Sequence, residues 1–152
     1  MADPDIVIRA VAEGDIARLA EMIDTLSAHH GATTNVPIET LGRDLLGTQP
    51  WAHARVAVMS GTIVGYAIGC PQYFAQFGER GLHLHHLFVD PQHRGAGLGT
   101  TLTHALIDLA RALSCRFVTV SAATGNMEAQ RFYENLGMRQ SPVTGMRYML
   151  DL

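Results

Sequence analysis

The sequence predicts a mixed α/β domain. Runs rich in Val, Ile and aromatic residues alternate with segments whose apolar residues recur at helical spacing. At the centre of the chain a strand, a glycine loop and a helix follow one another. The chain has 152 residues, 47% of them apolar and 16% charged. That length buries about 68–70% of the extended surface, so the core needs no disulfide or metal, and so apolar a composition argues against disorder. No repeat or linker divides it, so residues 1–152 are read as a single domain.

Each element has a local reason. Ile6 to Ala10 is a short apolar opening strand. Ile16, Leu19, Ala20, Ile23 and Leu26 recur at helical spacing, with Asp15 near the start and Gly31 beyond the end. A second helix runs from Pro37 to Leu46 and stops at Gly47. Arg55 to Met59, the Ser60-Gly61 turn and Thr62 to Ile68 form a hairpin. Leu82 to Val89 is a strand cut off by Asp90-Pro91. Leu98, Leu102, Ala105, Leu106, Leu109 and Leu113 mark a helix with one buried face. Arg116 to Ser121 is strand, and Asn126 to Leu136 is helix closed by Gly137 as its C′ residue. Met146 to Leu150 reads as a last strand. The expected order is β-α-α-β-β-β-α-β-α-β.

Composition excludes several functions. Lys and Arg total 11 against 14 Asp and Glu, a net charge of −3, which gives no basic field for nucleic acid or an anionic membrane. No run of 18 apolar residues suggests a membrane span, and the first residues, from Met1, lack the basic-then-apolar pattern of a secretion signal. Cys70 and Cys115 make no disulfide framework. The expected protein is soluble and cytoplasmic.

Between the central strand and its helix lies Gln92-His93-Arg94-Gly95-Ala96-Gly97-Leu98-Gly99-Thr100. Glycines allow a ligand close to the backbone, and the free N–H groups of a helix start attract an anion. A pyrophosphate is the natural guest, and a glycine-rich turn with no ligand is the plain alternative. A P-loop would need Gly-Lys-Ser/Thr, but Thr100 and Thr101 follow Gly99. A dinucleotide fingerprint would need a glycine at Thr100 and an acid near Ser121.

With these residues in place, the chain resembles the GNAT superfamily of acyl-CoA-dependent N-acyltransferases. Arg94, Gly97 and Gly99 meet that family's loop signature, and Leu87, Val89 and Pro91 its strand end. Asn126, Ala129, Phe132, Tyr133 and Gly137 meet its downstream motif, and Ile8-Arg9-Ala10 with Asp15 and Leu19 is similar to its opening segment. The resemblance implies the GNAT fold, a mixed central sheet flanked by helices, with splayed central strands. It also implies acetyl-CoA as cosubstrate. The pantetheine arm would pair with Leu87, Phe88 and Val89, and the pyrophosphate would sit on the N–H groups of Arg94, Gly95, Ala96, Gly97, Leu98, Gly99 and Thr100. Asn126 and Ala129 would contact the same molecule. Without a ligand, Asn126 is simply an N-cap. Tyr133 would be the general acid for the departing thiolate, and as structure alone it is a core tyrosine.

Eight histidines are many for this length, and His83, His85 and His86 crowd one strand. Alternation puts His83 and His85 on one face and His86 on the other. Two ligands do not close a zinc site, so no metal is expected. An ammonium acceptor must lose a proton before attack, a task for His83 or His85; His83-Leu84-His85 is similar to a His-Leu-His of the aralkylamine acetyltransferases. The diamine and polyamine acetyltransferase subgroup is the nearer resemblance over the whole chain, at Asp44 to Gly47, Pro50, Tyr73 and Gly81 to Val89. Its substrate-holding acids are His85-His86 here, and its Tyr-Glu aligns with His29-His30. Carboxylates that would neutralise a polyamine are therefore missing. His29, His30, Tyr73 and His86 are the expected acceptor-binding residues, with Trp51, Tyr66, Phe74 and Phe77 as further candidates for the pocket wall. The expected activity is transfer of an acetyl group to a primary amine of a small molecule by direct attack in a ternary complex. A protein N-terminal or lysine acetyltransferase and a non-catalytic acyl-CoA sensor are the alternatives, and a homodimer is the assembly the resemblance implies.

Overall fold

The computed structural model describes residues 5–152; the leader reading at Met1 to Pro4 lies outside them. Two compact units divide the chain, the first reaching Ser121 and the second running from Ala122 to Leu152.

The first unit is a five-stranded sheet with helices on both faces. Its strands are β1 (Ile6–Ala10), β2 (His53–Met59), β3 (Thr62–Phe74), β4 (Glu79–Val89) and β5 (Phe117–Val120), and its helices are α1 (Ile16–His29), α2 (Ile38–Leu46) and α3 (Leu98–Ala112). The spatial order is β1-β2-β3-β4-β5. All pairs are antiparallel except β4–β5, which is parallel as a helical crossover through α3 allows. The sheet is therefore mixed, as expected. β3 and β4 are longer than the apolar runs suggested, because a tight turn over residues 75–78 lets Phe74 pair with Glu79.

Successive strand residues face opposite sides, and this divides the core. Tyr66, Ile68 and Phe88 pack with Leu19, Met22 and Ile23 of α1 and Leu45 of α2. On the other face, Gly65 and Gly69 lie against Leu102 and Leu106 of α3, with Leu82 beside Gly69. Each of Leu19, Tyr66, Leu82 and Leu102 is wholly buried. Such side chains contribute roughly 1.5–3 kcal/mol apiece. The start of α1 is fixed by Asp15, whose carboxylate accepts from the Ala12 N–H at 2.7 Å and from Arg9 Nη2 at 3.0 Å. Its pKa is lowered first by the Arg9 hydrogen bond.

The second unit holds α4 (Met127–Asn135). The Asn126 side chain accepts from the Ala129 N–H at 3.1 Å, so Asn126 is the N-cap. Gly137 ends the helix at φ +85°, with Gly137 N–H donating to Glu134 and Met138 N–H to Tyr133. That paired bonding is a Schellman motif, which favours glycine at C′. The last strand expected at Met146 to Leu150 is not formed. Among the described residues no ladder bonds reach the segment, and a strand exists only as part of a pair. Val143, Met146, Tyr148 and Leu150 are left exposed.

Candidate active site

The histidines sit where β4 departs from regular pleating. Cys70 pairs with His83, Ile68 with His86 and Tyr66 with Phe88, while the register shifts between Ile68 and Gly69. Gly69 faces Leu84, so His85 is an extra residue with no partner on β3: a β-bulge. Paired residues share a face, which puts His83, His86 and Phe88 together with Tyr66 on the α1 side. The His85 ring lies on that of His86, 4.4 Å between centroids and 8° from parallel. This corrects the expectation that His86 faces away from the other two, because alternation holds only until a bulge resets it.

Each ring has a different environment. His83 Nδ1 is 2.7 Å from Thr119 Oγ1, and the Thr119 hydroxyl donates to Gln72 Oε1 at 2.8 Å. Burial and then the neighbouring His85 lower the His83 pKa. His86 Nδ1 is 3.3 Å from the Tyr66 hydroxyl. Burial, with His85 and His30 as further causes, pulls the His86 pKa down to about 4. His85 is exposed and makes no hydrogen bond among the described residues.

Beyond the bulge, β4 splays. β5 pairs only with Gly81 to Leu84, leaving the β5-side edge of Leu87, Phe88 and Val89 without a strand partner among the described residues. Arg94 closes over this end: its Nε donates to Val89 O at 2.9 Å and its guanidinium lies 5.7 Å from the Phe88 ring centre.

The glycine loop follows directly. Gly95 (φ +84°) and Gly97 (φ +77°) both hold left-handed backbone, a conformation that suits glycine. A Cβ on either would meet no heavy atom within 4 Å, so the backbone is open to a ligand. The first bond into α3 runs from Thr101 N–H to Gly97 O, so the N–H groups of Leu98, Gly99 and Thr100 have no acceptor within the helix. His93 Nδ1 is buried without a hydrogen-bond partner among the described residues. Open glycine backbone and free amides at the start of a 15-residue helix fit a pyrophosphate.

In the second unit, Ala129 and Tyr133 lie one turn apart on α4, and Tyr133 meets Phe132 edge-on at 5.1 Å. Burial raises the Tyr133 phenol pKa above 10, keeping it protonated at neutral pH.

The acceptor-binding candidates are not brought together. His29 ends α1 and His30 caps it, both exposed, with His30 felt electrostatically at His86. Tyr73 instead lines a cavity of about 340 Å³ with His53, Pro71, Arg80, Leu82 and Cys115, and none of the β4 histidines borders it. Tyr66 is fully buried core and Phe74 stacks on Phe117 at 4.2 Å, while Trp51 and Phe77 are exposed. Tyr66 and Phe74 are therefore packing residues, not pocket wall. Among the described residues no group of three His, Cys, Asp or Glu is arranged to hold a metal ion, and no helix is long and apolar enough to cross a membrane.

Thr119, Gln72 and Tyr66 are polar partners that the sequence reading did not assign. One signal was present: the apolar steps from Leu82 to Leu84, Leu87 and Val89 are two, three and two residues. The step of three is the trace of the bulge.

Comparison with known proteins bears on the family and the fold. The model of the acetyltransferase (GNAT) family matches residues 22–138. A thialysine N-epsilon-acetyltransferase of Sus scrofa is 27% identical, the alignment covering 88% of this chain and 84% of the relative. An L-methionine sulfoximine/L-methionine sulfone acetyltransferase of Pseudomonas paraeruginosa is 30% identical over 94% of this chain and 90% of its own. The crystal structure of a possible acetyltransferase from Clostridium difficile 630 superposes with a TM-score of 0.80 at 16% identity, covering 97% and 99% of the two chains, a likeness of fold.

Proposed function

The chain belongs to the acetyltransferase (GNAT) family, and from that premise we propose that it transfers an acetyl group from acetyl-CoA to the primary amine of a small molecule, by direct attack in a ternary complex. The observation that carries the reading is the run from splayed β4 into the open, left-handed glycines at the start of α3. In this reading Leu87, Phe88 and Val89 offer backbone to the pantetheine arm. The amides from Arg94 to Thr100 hold the pyrophosphate, and Asn126 and Ala129 contribute from α4.

The acceptor enters as an ammonium ion and gives one proton to a histidine of β4. Its nitrogen then forms the C–N bond at the thioester carbonyl, the C–S bond breaks, and Tyr133 gives its proton to the leaving sulfur. The nitrogen's second proton restores the phenol, and the imidazolium returns its own to solvent. Neither cysteine is needed as a nucleophile: burial raises both thiol pKa values, which favours the protonated form.

Of the acceptor candidates, His30 is felt at His86, and neither is a carboxylate. A singly charged amine therefore suits the site better than a polyamine. The relatives named for thialysine and for methionine sulfoximine support a small acceptor. A single domain, a homodimer and a cytoplasmic location belong to the same reading. The uncovered apolar side chains between Val143 and Leu150 support the homodimer, and two free cysteines support the location.

The test is CoA-thiol release from acetyl-CoA against polyamines, aromatic monoamines and amino acids, with Tyr133→Phe alongside. Tyr133-dependent turnover on a monoamine or amino acid is expected. Silence across the panel, with acetyl-CoA binding shown separately, would overturn the small-molecule reading in favour of a protein acceptor or a sensor.

A further inference from the structure

We infer that His83 and His86 are held in opposite tautomers, making His83 the proton acceptor for the incoming amine and His86 a fixed hydrogen-bond donor, with Thr119 and Gln72 as the residues that position His83. The inference rests on the amine-acetylation reading and separates roles that the sequence left joined.

The argument is a count of hydrogens. Thr119 has one hydroxyl hydrogen, and it is given to Gln72 Oε1 at 2.8 Å. Toward His83, 2.7 Å away, the same oxygen can only accept, so the hydrogen between them belongs to His83 Nδ1. A neutral imidazole carrying its hydrogen on Nδ1 has its lone pair on Nε2, which makes no hydrogen bond among the described residues. His83 is thus a base with its free nitrogen fixed in advance.

His86 is set the other way. Tyr66 is fully buried, and among the described residues His86 Nδ1 is the sole hydrogen-bond partner of its hydroxyl. A buried phenol that donates nowhere else must donate here, so His86 Nδ1 accepts and the hydrogen lies on Nε2. Taking a second proton would put a hydrogen on Nδ1 against the Tyr66 O–H, and burial, His85 and His30 separately pull this pKa down. His86 therefore offers an N–H to an oxygen of the acceptor and does not accept its proton. His85, exposed and stacked on His86, has no hydrogen-bond partner among the described residues to fix either tautomer.

The titratable groups against His83 are His85 on its own strand and Cys70 across the β3–β4 pair. β5 presents the uncharged Thr119. In the step itself an N–H bond of the ammonium breaks and an Nε2–H bond forms on His83, while Nδ1–H stays on Thr119. The freed electron pair on nitrogen then attacks the thioester.

The test reads tautomers directly. Two-bond 1H–15N spectra of the whole protein at neutral pH, assigned with His83→Asn and His86→Asn, should show His83 protonated at Nδ1 and His86 at Nε2. Gln72→Met should free the Thr119 hydroxyl to turn and donate to His83, moving the His83 hydrogen to Nε2, while Thr119→Ser should keep the wild-type pattern. In kinetics, Gln72→Met and Thr119→Val should each lower kcat/KM for the amine about tenfold, Thr119→Ser should restore it, and the KM for acetyl-CoA should not change. His83 protonated at Nε2 in the wild type, a His83 pattern indifferent to Gln72→Met, or a His83→Asn enzyme with unaltered kcat/KM would overturn the inference. Failure of every amine would remove the acetylation reading and the base role with it, while the spectra would still decide the tautomers.

Discussion

Gly81 lies beneath the ring of Phe117: a Cβ built on it would come within 2.1 Å of Phe117 Cε2. The contact fastens β4 to β5 where they are paired, and Phe117 is backed in turn by Phe74. Gly81→Ala should therefore cost about 1–3 kcal/mol, the usual penalty for an overfilled site. A lowered urea midpoint with unchanged slope is the expected result. An unchanged midpoint would mean that the ring swings aside freely.

Tyr133→Phe removes only the phenolic oxygen. Turnover should fall about 100-fold while acetyl-CoA affinity stays near wild type. Because burial raises this pKa above 10, the acid form persists at neutral pH and is lost only above the ordinary phenol range. A rate that declines near neutrality for want of this proton would contradict the assignment.

As the proposed base His83 would act in its neutral form, and burial lowers its pKa below the ordinary 6.5. The rate should therefore be complete at neutral pH and fall as pH drops through a value under 6.5. Changing His83 and His85 together to Ala should flatten that acidic limb. If the profile of kcat/KM survives the double change, neither ring is the base.

His86 has a consequence for stability as well. Its folded pKa, about 4, lies below the unfolded 6.5, so between these values the unfolded chain binds the extra proton. Stability should be full above pH 6.5 and decline as pH falls toward about 4, by roughly 2 kcal/mol after allowance for partial exposure. His86→Asn, which can still bond the Tyr66 hydroxyl, should reduce this acid sensitivity in denaturation curves measured across the range. The same slope in wild type and variant would assign it to other groups.

Asn126 can be divided into two roles by substitution. Asn126→Ala should cost about 1 kcal/mol through loss of the cap, and Asn126→Ser should restore most of it. If Ser restores stability but leaves acetyl-CoA binding weakened, the side chain serves the cosubstrate too. Binding that recovers in step with stability would reduce Asn126 to a cap.

The parts of the fold written in the sequence were those with local causes. Gly137 at a helix end, Asn126 at a helix start, Ser60-Gly61 in the hairpin and the apolar stripe of α3 each declare themselves within a few residues. The glycine loop was legible for the same reason: left-handed backbone before a helix needs glycine at Gly95 and Gly97. Long-range matters were not. Gln72, His83 and Thr119 come from three strands, and only register brings them into line. Tyr66 read as a pocket aromatic because its full burial depends on α1. Met146 to Leu150 has the residue types of a strand, but residue types do not supply a neighbouring strand.

If His85 is deleted on paper, the rest of β4 alternates without fault: Leu82, Leu84, Leu87 and Val89 on one side, His83, His86 and Phe88 on the other. His85 thus occupies a socket outside the packing plan. Its side chain fills no core position, so residues of quite different chemistry can be exchanged there without repacking either layer. Exchange at this position leaves the surrounding strand under the constraints of the fold.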